Sequence, residues 1–207
     1  MLREICPLVT MHTAQQYWNR KHDYAINVQI VGGPDGLIYD VDARFYGSAN
    51  DARVYEWSEV RGMLENYGRF HVTGDLAYPM LPVMVKPYPI AEAANDRSKA
   101  RFNYKHSGMR TIMTEHIFGR LKKRFPILRQ LRYHLELSQK VILACCILHN
   151  MAVKFKTPFL ADDDLHDNDG HEDDDDFPLD YADDLLVPEE IRIRAKRIRD
   201  ELKNSMR

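Results

Sequence analysis

The stretch YAINVQIVGGPDGLIYDVDARFYG, residues 24–47, decides the fold prediction for this chain of 207 residues. Residues 24–31 and 37–47 are rich in β-branched and aromatic side chains and partly alternate between apolar and polar, a pattern typical of strands. Between them, residues 32–36 concentrate Gly, Pro and Asp, which are the residue types of tight turns. The sequence therefore predicts a β-hairpin.

The residues that follow the hairpin predict a helix, two more strands and a set of helices. In SAND, residues 48–51, the Ser-x-x-Asp spacing has the form of a capping box, with Ser48 at the cap and Asp51 in the first turn. An amphipathic run continues from there to about Tyr67. The later predicted elements are strands at 69–75 and 83–87, helices at 92–104, 108–125 and 137–155, and an amphipathic helix in the last 21 residues. This order predicts an α/β or α+β domain with a mixed sheet.

Charge is strongly segregated, although the net charge is only −2. Residues 97–132 carry eleven Lys or Arg and one acid, Glu115, so this block is suited to face a polyanion. Residues 162–184 carry thirteen acids and no Lys or Arg, a composition that predicts disorder. The acidic tract could fold back on the basic face and screen it from non-specific DNA.

Composition also bears on location. No apolar run reaches the roughly 18 residues of a membrane span, so no membrane partner is predicted. The first residues lack the basic head and apolar core of a secretory signal. Three cysteines, two of them adjacent in an apolar run, do not form a disulfide framework and indicate a reducing compartment.

Two acidic residues stand out by position. Asp75 follows the predicted third strand, where it serves either as a turn residue or as a metal ligand at a strand end. Glu115 is the lone acid of the basic block. It either forms a salt bridge with Arg110 or Arg120, or it is a functional group with neighbours that serve an anion. The residues alone leave both alternatives open.

Five segments in collinear order resemble the DDE domain of PIF/Harbinger transposases and the nucleases domesticated from that group. The segments are NRKHDYAINVQIV, YGSANDARVY, GDLAYP, RFNYKHSGMRTIMTEHIFGRLKKRFPIL and VILACCILHNMA. The resemblance covers about residues 17–155. It implies a ribonuclease-H-like fold, with a five-stranded mixed sheet flanked by helices and three acids that hold two divalent metals.

The resemblance assigns roles to individual residues. Asp75 matches the second acid, in a Gly-Asp strand end, and Glu115 matches the third, in a Glu-x-x-Phe-Gly-x-x-Lys helix. Mg²⁺ or Mn²⁺ is the implied cofactor, because hard cations bound by carboxylates activate water and stabilise the oxygens of a phosphodiester. The residues implied to follow the DNA backbone are Arg110, Arg120, Lys122, Lys123 and Arg124.

The chain departs from the family pattern at the first acid. An Asp-Gly-(Thr/Cys)-His-like strand end is expected just before Asn19, but the first aspartate is Asp23, and Glu4 lies in no such motif. The sequence therefore predicts an incomplete site and leaves open whether the first central strand is present. Asp51 is interpreted as a helix-capping residue, with an accessory role at the site as the alternative.

The sequence predicts four regions in the chain and a function for the largest of them. The predicted regions are an atypical N-terminal segment (1–16), a DDE-type nuclease-like domain (17–156), an acidic disordered tract (157–186) and a C-terminal amphipathic helix (187–207). The expected function is divalent-metal-dependent endonuclease action on DNA in the nucleus, or also in the cytoplasm, impaired by the missing acid. The alternatives are a non-catalytic DNA- or protein-binding descendant and a fragment of an active nuclease, so enzymatic activity is left open. A partner with a Myb-like DNA-binding domain is implied by the resemblance.

Overall fold

The computed structural model contains the predicted hairpin. The residues it describes are 14–18, 22, 24–68, 70–111, 117–158 and 187–206. A short helix α1, Ala14–Tyr17, precedes strand β1, Ile26–Gly32, and strand β2, Ile38–Tyr46, which pair antiparallel. Gly36 closes the turn at φ +78°, a conformation that glycine adopts without steric cost. The hairpin prediction is confirmed.

The helix after the hairpin differs from its prediction in two ways. Helix α2, Asp51–Trp57, and helix α3, Glu59–Tyr67, are separated at Ser58, whose backbone is extended. The N-cap of α2 is Asn50, whose Oδ1 accepts from the Arg53 N–H at 2.8 Å. The predicted capping box is therefore wrong: Ser48 instead donates to the Gln16 carbonyl, and Asp51 is a first-turn residue. Asn50, one residue before Asp51, satisfies an orphan N–H of the first turn of α2, a role in which Asn is as effective as Ser.

The third and fourth strands are shorter than predicted and form a separate sheet. Strand β3, Val72–Thr73, pairs parallel with strand β4, Met84–Val85. Within the described residues the strands thus make one antiparallel pair and one parallel pair. The chain is a mixed α/β protein, as predicted. The described strands do not join into a single five-stranded sheet.

The second half of the described chain is helical. Its elements are α4 (Ile90–Ala94), α5 (Arg97–Thr111), a π turn at 117–119, α6 (Arg120–Arg124), a 3₁₀ turn (Pro126–Arg129), α7 (Leu135–Lys154) and α8 (Glu189–Ser205). The predicted boundary near 104–108 is wrong, because α5 runs through it. The boundary lies instead at Asp96, whose Oδ1 accepts from the N–H groups of Ser98 and Lys99.

Three apolar clusters hold these elements together. The largest packs the hairpin against α6 and α7 through residues such as Ile26, Leu121 and Ile142. The second lies between α2, α3 and β4, and the third joins β4 to α5 and α8 through Tyr88 and Phe102. Burial of these side chains from water is the main force that assembles the elements.

Side-chain amides fix the register of neighbouring backbone. Asn150 on α7 accepts from the Ile38 N–H at 2.8 Å and donates to the Ile38 carbonyl at 2.7 Å. Asn103 on α5 makes the same pair of bonds with Tyr88, both at 2.8 Å. Each amide thereby satisfies one residue's N–H and C=O as a neighbouring strand would.

Two predicted regions fall largely outside the described residues. Residues 159–186, which include nearly all of the predicted acidic disordered tract, are among these, and so are residues 1–13 of the predicted N-terminal segment. Among the helices that are described, none has the length and apolar character needed to cross a membrane.

Candidate functional site

Asp75 lies directly after β3, in a turn that its own side chain stabilises. Its Oδ1 accepts from the Ala77 N–H at 2.9 Å, and its carbonyl accepts from the Tyr78 N–H at 3.4 Å. The residue is half-buried, and within the described chain no donor bonds its Oδ2. The turn role of Asp75 is thus present, and one carboxylate oxygen remains for a further partner.

The backbone before Asp75 is held by the neighbouring strand and by a buried histidine. The Val85 carbonyl accepts from the Gly74 N–H at 3.1 Å and from Nε2 of His106 at 3.0 Å. His106 lies on α5, and its side chain is buried. The backbone of Gly74 is a second polar neighbour of its imidazole ring. Burial lowers the pKa of His106, so its imidazole is neutral at physiological pH.

The pKa of Tyr78 responds to two acids and one arginine near this turn. Burial raises the pKa of Tyr78, the carboxylates of Asp51 and Asp75 raise it further, and the guanidinium of Arg110 opposes them. Its ring also meets that of Tyr55 edge-on, with centroids 5.9 Å apart. Asp51, Asp75 and Arg110 therefore lie close enough to one phenol to perturb its ionisation, although they come from three different elements.

Asp51 is held from the hairpin side. Nδ2 of Asn27, on β1, donates to Oδ1 of Asp51 at 3.3 Å and to the Ala49 carbonyl at 2.9 Å. Asp51 also stands in the first turn of α2, where the helix dipole favours a negative charge. Its position near Tyr78 is compatible with an accessory role and equally with a structural one.

The other predicted site residues lie elsewhere or outside the described chain. Glu115 falls in residues 112–116, which are not described, so its relation to Asp75 stays a prediction. Arg110 ends α5 beside Tyr78. Arg120 and Arg124 lie at the turn end of the hairpin, next to Gly36 and the Thr157 carbonyl. Lys122 and Lys123, also on α6, are half-buried and exposed respectively. Of the predicted basic face, Arg110 is thus the member found beside the acids.

Sequence reasoning missed His106 and the central position of Tyr78. A histidine in a polar helical stretch carries no signal of burial, since its contacts with Val85 and Gly74 join distant parts of the chain. Tyr78 lies in the segment GDLAYP, but Asp51 and Arg110, which influence its pKa, lie far from it in the sequence. No local pattern relates these residues to Tyr78.

The described residues supply only part of the predicted metal site. Asp75 offers a carboxylate oxygen with no described donor at a rigid strand end, which suits Mg²⁺ or Mn²⁺. However, no group of three His, Cys, Asp or Glu side chains that could hold a metal occurs in the described part of the chain. The described residues alone therefore make no two-metal centre, and Glu115 would have to contribute.

A comparison with known families shows the class to which the chain belongs. Residues 5–150 match the DDE superfamily endonuclease family. This match covers well over half of the chain, and the chain therefore belongs to that family. The prediction of a Harbinger-transposase-derived nuclease family is thereby confirmed.

Individual relatives extend the comparison. The chain is 30% identical over 146 residues to "Putative nuclease HARBI1" of Xenopus laevis, covering 67% of this chain and 40% of the relative. The Homo sapiens protein of the same name is 28% identical over 144 residues, with the same coverage. "Protein ALP1-like" of Arabidopsis thaliana is 24% identical over 176 residues, covering 76% of this chain and 43% of that protein. No solved structure matches. The chain thus spans about two fifths of the length of these relatives.

Proposed function

We propose that this chain is a transposase-derived endonuclease-type domain that binds DNA and holds a divalent cation through Asp75 and Glu115. The observation that carries this proposal is the carboxylate of Asp75 at the end of β3. One of its oxygens is bonded to its turn, and the other has no donor among the described residues. Membership of the DDE endonuclease family supports it, because enzymes of that family generally use divalent metals.

We further propose a ribonuclease-H-like arrangement for the domain. The antiparallel pair β1–β2, the helices α2 and α3, and the parallel pair β3–β4 follow each other in the order expected for such a fold. In this arrangement the two pairs belong to one mixed sheet, and the strand that would carry the first acid stands between them.

The residues around Asp75 would act together on a phosphodiester. A bound Mg²⁺ or Mn²⁺ supplies Lewis-acid stabilisation of a phosphate oxygen and an activated water. Asp75 and Glu115 would hold the cation, and Arg110 would neutralise phosphate charge. Tyr78 stays protonated at neutral pH, because burial and the neighbouring acids raise its pKa, so its hydroxyl is available as a hydrogen-bond donor.

Hydrolysis by this chain is expected to be impaired. The sequence offers no acid in the motif expected before Asn19, and two carboxylates hold two metals less well than three. A second function follows from the same observation: a non-catalytic descendant that retains contacts with DNA or protein. We propose that such a protein acts in the nucleus, where DNA is, and that a partner with a Myb-like domain supplies target recognition, as the family resemblance implies.

Calorimetric titration of the full chain with Mn²⁺ tests the proposal. Asp75→Asn keeps the acceptor for the Ala77 N–H but removes the charge, and Glu115→Gln does the same for the predicted second ligand. Each substitution is expected to weaken Mn²⁺ binding at least about tenfold, since carboxylate charge sets the affinity of such sites. Glu190→Gln, at an exposed acid of α8, is the matched control and should leave binding unchanged.

The outcomes separate the two functions. If Mn²⁺ binds and the two variants lose it, plasmid cleavage can be measured with the same proteins, and trace activity is expected. If wild type and variants bind Mn²⁺ equally, the acids are not ligands and the metal-dependent proposal is wrong. DNA binding without any Mn²⁺ binding would favour the non-catalytic descendant.

A further inference from the structure

One face of α5 carries two arginines and a tyrosine in a stripe. Arg97, Arg101 and Tyr104 follow each other at i, i+4 and i+7, so they lie on the same side of the helix. Both arginines are exposed, and Tyr104 is 82% exposed, an unusual position for a large aromatic ring. One turn beyond it lies Gly108, where an added Cβ would have no described atom within 4 Å.

The stripe borders a groove between α5 and α8. The groove has a volume of about 630 Å³, and its walls include Arg97, Arg101 and Phe102 on one side and Lys203 and Asn204 on the other. Three cations and an amide thus line one concave surface, together with Phe102 and Met206.

The groove is fixed rather than formed by a loose C-terminal helix. The hydroxyl of Tyr88 donates to Oδ1 of Asp200, and the guanidinium of Arg199 stacks 3.9 Å from the centroid of the Tyr88 ring. Lys105 on α5 donates to the Met206 carbonyl at 3.0 Å, which ties the end of α8 to the groove's other wall. A rigid wall lowers the entropic cost of binding a ligand.

The positive charge of the groove is only partly offset by its described neighbours. No ion pair of Arg97 or Arg101 occurs within the described chain. Of the nearby acids, Glu92 pairs with Lys99 at 2.8 Å, whereas Asp96, which caps α5, keeps its charge and interacts with Lys203. Arg97, Arg101 and Lys203 outnumber this one carboxylate. The groove therefore presents a net positive potential suited to an anionic partner.

We propose that the α5–α8 groove and Tyr104 bind an unpaired nucleic-acid strand, with the phosphates in the groove and a base stacked on the Tyr104 ring. A groove of cations beside an exposed aromatic ring is the arrangement that binds single strands without sequence preference. An acidic peptide would use the same cations but has no group that needs the ring. The proposal extends the proposed function, and it does not depend on Asp75, Glu115 or a metal.

Fluorescence anisotropy of a labelled thymidine oligonucleotide with the full chain tests the site. Arg97→Gln with Arg101→Gln should weaken binding at least about tenfold and reduce the salt slope by about 1.4, since each phosphate contact on a single strand contributes about 0.7. Arg194→Gln with Arg197→Gln removes the same charge from α8. Arg194 lies about half a turn round the helix from Lys203, so this control should change little.

Tyr104 separates a nucleic acid from an acidic protein segment. Tyr104→Ala should weaken binding of the oligonucleotide roughly tenfold, whereas Tyr104→Phe, which keeps the ring, should bind as wild type. Poly-glutamate is the competing probe. The proposal is overturned if Tyr104→Ala binds normally and poly-glutamate displaces the strand at equal charge concentration, because the groove then takes acidic peptides.

The experiment also stands apart from the test of the metal site. Oligonucleotide binding is measured without added divalent cation, so its outcome does not depend on whether Asp75 holds a metal. Equal loss in the α5 double variant and in the α8 control would mean that binding follows net charge alone, and that outcome rejects the groove as a site.

Discussion

At the scale of single residues, Asp75 joins two roles that the sequence presents as alternatives. Its Oδ1 stabilises the turn after β3, and no donor among the described residues bonds its Oδ2. A carboxylate has more acceptor positions than one backbone N–H can fill, so a turn residue can also be a ligand. The competing interpretations of this residue therefore do not exclude each other.

Gly74 sets the geometry of that turn. A Cβ at Gly74 would lie 2.5 Å from Sδ of Met84 and 2.9 Å from Cδ2 of Tyr78. Gly74→Ala is expected to cost about 1–3 kcal/mol of unfolding free energy, measured by urea denaturation, because Tyr78 must move in a packed site.

The same substitution at Gly62 is the control. Gly62 lies inside α3, and a Cβ added there would have no described atom within 4 Å. Gly62→Ala should therefore stabilise the protein by about 0.5–1 kcal/mol through helix propensity. Equal effects of both substitutions would contradict the close packing at Gly74.

Two buried histidines predict how stability depends on pH. Burial lowers the pKa of His106 and of His149, whose Nε2 bonds the Gly36 carbonyl at 3.0 Å, below the usual 6.5. As pH falls through 6.5, the unfolded chain takes up protons that the folded chain does not, so stability is lost. Full stability is expected above this range.

Urea denaturation at about pH 7.5 and about pH 5.5 measures the effect, and the unfolding free energy should be lower at the acidic pH. His106→Gln and His149→Gln should each reduce this difference, even if they lower stability at both pH values. An unchanged difference in both variants would show that other groups cause the dependence.

At the scale of elements, Tyr88 gathers several of the contacts that attach α8 to the domain. The Tyr88 hydroxyl bonds Asp200, Arg199 stacks on its ring and donates to the Pro87 carbonyl at 3.2 Å, and Leu202 packs on the same cluster. The apolar spacing of this helix is visible in the sequence, whereas the surface it covers is not.

Tyr88→Phe tests this attachment. Loss of one hydrogen bond to a carboxylate should cost about 1–3 kcal/mol and increase hydrogen exchange of residues 189–205, while the ring still packs. Tyr67→Phe, at a ring that is 65% exposed, is the control and should leave exchange unchanged. Exchange that does not respond to Tyr88→Phe would mean that apolar packing alone holds α8.

At the scale of the whole molecule, the cluster between the hairpin, α6 and α7 is expected to carry most of the stability. Ile142, on α7, is fully buried there at 0% exposure, whereas Ile147 on the same helix is 62% exposed. Ile142→Ala should lower the unfolding free energy by about 2–5 kcal/mol, through lost burial and the cavity it leaves. Ile147→Ala should change it by no more than about 0.5 kcal/mol.

Far-UV circular dichroism and tryptophan fluorescence should report the same urea midpoint for Ile142→Ala. Coincident midpoints are expected if the three clusters unfold as one cooperative unit. Separate midpoints would show that the β3–β4 region and α8 unfold independently of the hairpin cluster.

Local patterns of the sequence were sufficient for the hairpin at 24–47, for the C-terminal helix, which the structure has at Glu189–Ser205, and for the turn at Asp75. They were sufficient because alternation, helical spacing and turn residues act over neighbouring positions. The family also followed from collinear motifs. The predicted cap of α2 was misplaced by one or two residues, because Ser, Asn and Asp in SAND are all good N-cap residues. Asn50 is the cap in the structure, since the Ser48 hydroxyl donates to the Gln16 carbonyl instead.

Tertiary structure alone decided which distant residues meet. His106 bonds the Val85 carbonyl, and Asn150 bonds both backbone groups of Ile38. Asp51, Asp75 and Arg110 all influence the pKa of Tyr78, while the other predicted basic residues lie on α6. These contacts cannot be derived from periodicity, because their energy depends on the burial and distance of groups far apart in the chain. The sequence by itself determined the family, the hairpin and the acids available for a site. Packing determined which of those groups share a site, since side chains become neighbours only when the apolar clusters close.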